Sequence, residues 1–285
     1  DEDGFMREKP GDWVFIDWAT MDKTGALCGE QILYAKALEC YAVIGSVIGR
    51  DTKRYAKKAA MLQAAVIDKF YDQEKSAFID SFESGKRNIT RHSNILAYLF
   101  LPCTEEQRKD IYEKVILNDD IPQITTPYFK FYENQVHCMA DHPEILEKVI
   151  RDYYGSMLAT GATTLYEEYD PAMSAPEHYA MYGDPYGKSL CHAWSASPIY
   201  LLGCYRLGVR NTGIAYKTFE VRPQLGGLRE FKGQVPVPGG FVSVEADEKG
   251  VCVKADIKGG TLCLGNDKYV LEKGVKKYIK WFPEQ

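Results

Sequence analysis

The chain has 285 residues, 45% of them hydrophobic, with a net charge of −5 and a pI near 5.7. That length and apolar share suffice for one large domain or two smaller ones with a real core. The acidic balance argues against a nucleic-acid partner, which needs a basic face, and no run approaches the roughly 18 consecutive apolar residues of a membrane span. Tyrosine is over-used, with 20 residues against 12 phenylalanines. Rings with polar tips suit a polar ligand, or equally the edges of helix packing. The eight cysteines show neither C-x-x-C pairs nor Cys/His zinc spacing and read as buried free thiols. No metal cluster or nucleotide-binding loop is visible, so no cofactor is expected. Asp1 opens the chain without a methionine or a signal peptide, which reads as a processed product or a fragment.

Residues 1–28 form an irregular, aromatic-rich opening. Trp13 and Trp18 each lie next to an aspartate, as the wall of a ligand cleft or as a core plug whose acids cap backbone amides. From Glu30 to Ile48, apolar residues recur at helical spacing until Gly49. Asp51 is a good N-cap for the next helix, with Tyr55, Ala59, Leu62, Val66 and Phe70 on one face. A third helix over 94–100 takes Ser93 as its cap. Thr104-Glu-Glu-Gln107 has the form of a capping box and predicts a fourth helix to about Leu117. Thr126-Pro127 starts a fifth, with the hydroxyl as cap and proline in the first turn. Asp141 then caps a helix with two adjacent apolar stripes, one through Ile145 and Met157, the other through Leu146 and Leu158. A last helix is expected within Ser189–Leu207, with Pro198 either kinking it or marking its true first turn. Beyond Val209 the period changes from helical to two, predicting a small antiparallel β domain of about 75 residues.

The stretch Gly161-Ala-Thr-Thr-Leu-Tyr-Glu-Glu-Tyr-Asp170 carries the densest chemistry. Carboxylates beside aromatic faces are what a sugar site needs, since rings stack on the C–H faces of a pyranose and a carboxylate can deprotonate a water. The bland alternative is a connecting segment with solvated acids.

Gly161-Ala-Thr-Thr-Leu-Tyr-Glu167 resembles the Gly-x-Thr-Thr-x-Trp-Glu motif of bacterial α-L-rhamnosidases, glycoside hydrolase family 78. Ser189-Leu-Cys-His-Ala-Trp-Ser-Ala-Ser-Pro198 follows at the expected interval. Phe219-Glu-Val-Arg-Pro223 and Gly233-Gln-Val-Pro-Val-Pro238 are similar to that family's passage into its C-terminal β-sandwich, and Gly11-Asp-Trp13 and Thr126-Pro-Tyr128 fit upstream. The resemblance implies a mainly α protein with a β appendage. Residues 1–209 are the later part of an (α/α)6 helical-hairpin barrel, lacking its N-terminal helices, and 210–285 are a small antiparallel β-sandwich domain.

It also implies inverting hydrolysis of terminal rhamnosides. Glu167 is then the general base, and Glu168, one residue on, points elsewhere. The family's general acid lies in a segment before the part corresponding to Asp1. Within the chain, Asp17 and Glu133 are the best second carboxylates, and they are expected in sugar binding rather than as the acid. His192 matches the family's histidine near the sugar ring, although a lone histidine in an apolar helix is commonly a core residue. Trp13, Trp18, Tyr128 and Trp194 are candidate pocket walls. Tyr166 stands where the family more often has tryptophan.

The partners implied are a rhamnose-containing oligosaccharide or glycoside and the N-terminal part of the barrel itself. The resemblance implies a periplasmic or secreted location, while the residues themselves leave a cytoplasmic one open. Two further readings remain at this point. One is a non-catalytic sugar-binding or scaffold fragment; the other is a different enzyme on the same barrel, such as an uronyl hydrolase or an epimerase.

Overall fold

The computed structural model describes residues 4–7, 9 and 11–281. The ends of the two expected domains, residues 1–3 and 282–285, lie outside the described residues, as does the expectation drawn from Asp1. The chain packs as two compact units, one of Asp1–Val136 with Glu167–Lys188, the other of His137–Tyr166 with Ser189–Gln285.

In the first unit, helix α1 (Cys28–Val47) packs on α2 (Lys53–Phe70) and on α3 (Arg91–Phe100). Gly49, at φ +75°, carries the chain out of α1 in the left-handed conformation that glycine adopts without strain. The stripe Ala59, Leu62, Val66 and Phe70 is buried as its spacing requires. The expected cap at Asp51 is displaced by one residue. Thr52 occupies the N-cap and its hydroxyl donates to the Ala42 carbonyl at 2.8 Å, while Asp51 accepts only from the Lys53 amide. A short hairpin, β1 (Tyr71–Asp72) and β2 (Ala77–Phe78), precedes α3.

The cap of α3 is likewise not Ser93 but Thr90, whose side chain accepts from the Ser93 amide. The Ser93 hydroxyl is thereby released to donate to Asp80 at 2.8 Å. Helix α4 (Glu105–Ile111) opens on the predicted capping box of Thr104 and Gln107 and runs on as a π turn, Tyr112–Ile116. Helix α5 (Pro127–Met139) starts as predicted, the Thr126 hydroxyl accepting from the Phe129 amide at 3.3 Å.

In the second unit, α6 (Pro143–Val149), a π turn (Ile150–Tyr154) and α7 (Gly155–Ala159) form one continuous helical run. Its cap is His142 followed by Pro143, and Asp141, expected there, takes a positive φ of 65° just before it. The π turn inserts a residue and rotates the faces. Leu146, Tyr153, Tyr154 and Met157 are therefore buried while Leu158 is exposed, against the regular stripe. Pro198 sits in the first turn of α8 (Ser197–Leu201), which continues as a π turn, Leu202–Arg206.

Two four-stranded sheets follow. One has the order β10-β7-β6-β5, the other β3-β4-β8-β9. The strands are β3 (Val209–Asn211), β4 (Phe219–Val221), β5 (Glu230–Val237), β6 (Gly240–Asp247), β7 (Gly250–Ala255), β8 (Gly260–Leu264), β9 (Asp267–Leu271) and β10 (Lys276–Lys280). Inward residues of both sheets, among them Phe219, Val221, Val244, Val253 and Leu262, share one core, so this is the expected sandwich. One departure from an all-antiparallel domain is the β4–β8 pair, which is parallel. Between them the chain passes through three strands of the other sheet and returns from the same end.

Candidate functional site

Within the second unit, the two segments that carried the family resemblance lie side by side. Thr164 donates its hydroxyl to the Leu190 carbonyl, the His192 amide donates to Leu165 at 2.8 Å, and the Ser195 hydroxyl donates to the Tyr166 carbonyl. Tyr166 is buried, and its amide donates to the Met157 sulfur at 3.4 Å. The stretch's mix of rings and carboxylates suggested aromatic faces open to a sugar, but the Tyr166 ring is turned into the protein interior. His192 and Trp194, half-buried with rings 4.4 Å apart, lie on an irregular stretch and a 3-10 turn rather than in a helix.

Glu167 and Glu168 open the segment of the first unit that runs to Lys188. Both are half-buried. Glu168 is tied by a 2.9 Å ion pair to the buried Lys188, whose ammonium also donates to the Glu177 carbonyl. Glu168 therefore has a structural task, holding the two ends of this segment together through Lys188. Tyr169 is buried like Tyr166 and lies against His178, with centroids 4.7 Å apart. Neither tyrosine flanking the pair of glutamates presents its ring to solvent.

Elsewhere in the first unit, the remaining candidates fall into two buried pairs and an aromatic row. Asp17 receives the Thr126 hydroxyl on both oxygens, at 2.8 and 2.7 Å, and His92 Nε2 at 2.8 Å. With Asp17 accepting, Nε2 is the protonated nitrogen of His92, and its Nδ1 is buried without a hydrogen-bond partner. Glu133 meets Arg91 at 3.2 Å and Lys130 at 2.6 Å. Arg91 and His92 are neighbours at the start of α3, while Thr126 and Glu133 belong to the first turns of α5. The two pairs therefore lock these helices together at their N-terminal ends. Each carboxylate is thus engaged on both oxygens by neighbouring side chains.

Tyr128 is half-buried, edge-on to Phe129 and Tyr132, and burial together with the Tyr132 phenol beside it holds its own phenol well above the usual range. Trp13 is 76% exposed against Phe15. Trp18 is half-buried, and its indole nitrogen lacks a hydrogen-bond partner.

Arg91, His92 and Lys188 were not legible as partners of these carboxylates. The cap pattern before α3 was the one local signal, and it pointed to Ser93. Among the described residues, no group of three or more His, Cys, Asp or Glu is placed to hold a metal, and no helix is long and apolar enough to cross a membrane.

Residues 1–205 match the family described as the bacterial alpha-L-rhamnosidase 6 hairpin glycosidase domain. The chain belongs to that family. Its fold is similar to a family 78 rhamnosidase of Bacillus sp. GL1, with a TM-score of 0.72 and 26% identity over 86% of this chain and 26% of that one. It is also similar to a rhamnosidase from Klebsiella oxytoca with rhamnose bound, with a TM-score of 0.58 and 24% identity over 71% of this chain and 38% of that one. The native α-L-rhamnosidase of Aspergillus terreus gives a TM-score of 0.69 at 12% identity, over 88% of this chain and 30% of that one. The latter two show likeness of fold alone. No curated protein matches the chain. It spans 26% to 38% of the lengths of these solved rhamnosidases.

Proposed function

We propose that this chain is the later part of the catalytic barrel, residues 1–209, and the C-terminal sandwich, 210–285, of an inverting α-L-rhamnosidase. The family match over residues 1–205, a span that contains Glu167, carries this reading. The hydrogen-bonded pairing of residues 164–166 with 190–195 supports it, because it orders the backbone on which Glu167 follows. In the reaction proposed, Glu167 removes a proton from a water whose oxygen attacks the anomeric carbon. A carboxylic acid on the opposite side gives its proton to the departing glycosidic oxygen. The two carboxyl groups of an inverting enzyme stand roughly 6.5–9.5 Å apart, leaving room for that water.

Asp17 and Glu133 are occupied by neighbours, so the acid is assigned to a part of the six-hairpin domain not contained in these 285 residues. Trp13, Trp18, Tyr128, His192 and Trp194 are assigned to sugar contact. Asp17 and Glu133 tie α3 to α5 within the first unit. The substrate class is a terminal rhamnoside, supported by the family name and by the rhamnose in the Klebsiella oxytoca structure.

The test is Glu167→Gln in a protein carrying the complete six-hairpin domain. Hydrolysis of an aryl α-L-rhamnoside should fall by about 10²–10⁴-fold, the usual share of a general base, while rhamnose binding persists. Full turnover by the variant excludes Glu167 as the base.

A further inference from the structure

The aromatic row at the start of the chain continues past the residues assigned to the sugar. Trp13 packs on Phe15 (centroids 5.3 Å apart, planes at 42°), Phe15 on Trp18 (5.1 Å, 71°) and Trp18 on Tyr182 (6.3 Å, 56°). All four belong to one unit. The ends of the row are open, with Trp13 76% and Tyr182 82% exposed, and Phe15 and Trp18 between them are half-buried. The contacts are tilted or edge-on, so no two of these rings are stacked face to face, and the two end rings stay largely in solvent.

Tyr182 is held in this row by its backbone. Met181 and Asp184 exchange two backbone hydrogen bonds of 2.9 Å, and Tyr182 and Gly183 between them both have positive φ, +53° and +82°. This is the arrangement of a type I′ turn, where Gly, Asn and Asp are at ease and a bulky residue is an outlier. A tyrosine that pays backbone strain while leaving its ring in water has its reason outside the fold. The loop that carries it is firmly anchored. Ser174 and Glu177 form a capping box, Lys188 bonds Glu168 and the Glu177 carbonyl, and the Lys188 amide donates to Tyr179.

We propose that Trp13, Phe15, Trp18 and Tyr182 form a platform along which successive residues of an oligosaccharide are laid. The proposal rests on the rhamnosidase reading for the identity of the sugar, and it narrows the substrate class to a glycan chain rather than a lone glycoside. Neighbouring centroids are spaced by about the length of one pyranose unit, and each exposed face offers the C–H stacking that pyranoses use. Asp12, Thr20 and Asp184, close in sequence to these rings, are exposed polar residues. A protein partner would need a broad patch of roughly 800 Å².

The experiment is calorimetric titration of the chain with L-rhamnose, an α-linked rhamnodisaccharide and the corresponding tetrasaccharide. Affinity should rise with length. Tyr182→Gly, which keeps the turn and relieves its strain, should lower tetrasaccharide affinity about tenfold, the loss typical of one aromatic anchor. It should leave rhamnose affinity unchanged and the melting temperature equal or higher. Equal affinity at all lengths, no binding of any probe, or undiminished tetrasaccharide affinity in Tyr182→Gly overturns the platform. A dimer-to-monomer shift on sedimentation of that variant, without loss of glycan affinity, makes the row a contact between copies instead. The hydrolase reading fails on a different measurement, turnover by Glu167→Gln, so the two failures are distinguishable.

Discussion

Asp80 shows how much of this fold hangs on a side chain that local pattern does not mark. It is fully buried, and its two oxygens accept from the Thr90 and Ser93 hydroxyls, the Asn88 amide group and the Asp22 backbone amide. The loop before α3, the cap of α3 and the segment leading into α1 are thereby gathered on one carboxylate. Removing it strands several buried donors, each of which then carries its own desolvation cost. Asp80→Ala should destabilise the protein by at least about 3 kcal/mol, read as a lowered urea midpoint. A change within about 0.5 kcal/mol, the range of an ordinary surface substitution, would show that water replaces the carboxylate. In sequence, Asp80 was one polar residue in a short loop. Its partners lie 8 to 58 positions away, so spacing could not reveal it.

Helix beginnings divide instructively between those that were legible and those that were not. Thr104 and Gln107 close the capping box from both sides, the Thr104 hydroxyl accepting from the Gln107 amide at 3.1 Å and the Gln107 side chain from the Thr104 amide at 2.9 Å. All its partners lie within four residues, so the motif reads directly. Thr104→Ala should cost about 1 kcal/mol of stability. Thr104→Ser, which keeps the acceptor, should cost much less in the same denaturation experiment. At α2 and α3 a second candidate one to three residues from the expected cap took the role, because tertiary contacts claimed it. Thr52 reaches back to Ala42, and Ser93 is drawn to Asp80. The π turns at 112–116, 150–154 and 202–206 follow the same logic, since an inserted residue serves packing and leaves no local signature.

Across the first unit, acid is the expected point of weakness. The Glu83 carboxyl is held below its usual range chiefly by the Ala26 amide, with Arg7 assisting against its burial. Burial alone would raise Asp22 and Asp72. It is outweighed by hydrogen bonds from Ser84 and Thr24 in the one case, and from Arg87 and the Lys75 amide in the other. A carboxyl whose folded value lies below its unfolded value adds stability that is fully present above the unfolded range, near ~4. That stability is lost as pH falls through the folded values. The urea midpoint should therefore be flat from neutral pH down to about 5 and drop steeply below ~4. Stability that rises on acidification contradicts this account.

What one reading of the chain could determine was set by neighbours in sequence. Helical and strand periods, the switch after Val209, two of the helix starts and the motif ending at Glu167 all depend on residues a few positions apart. The burial of Tyr166 and Tyr169, the engagement of Glu168 by Lys188, and the parallel pairing of β4 with β8 were decided only in three dimensions. So was the meeting of Asp17 with Thr126, 109 positions away. Local periodicity states which face of an element is apolar, but it carries no record of which distant polar group will be waiting there. That is settled when the elements pack and every buried donor must find its acceptor.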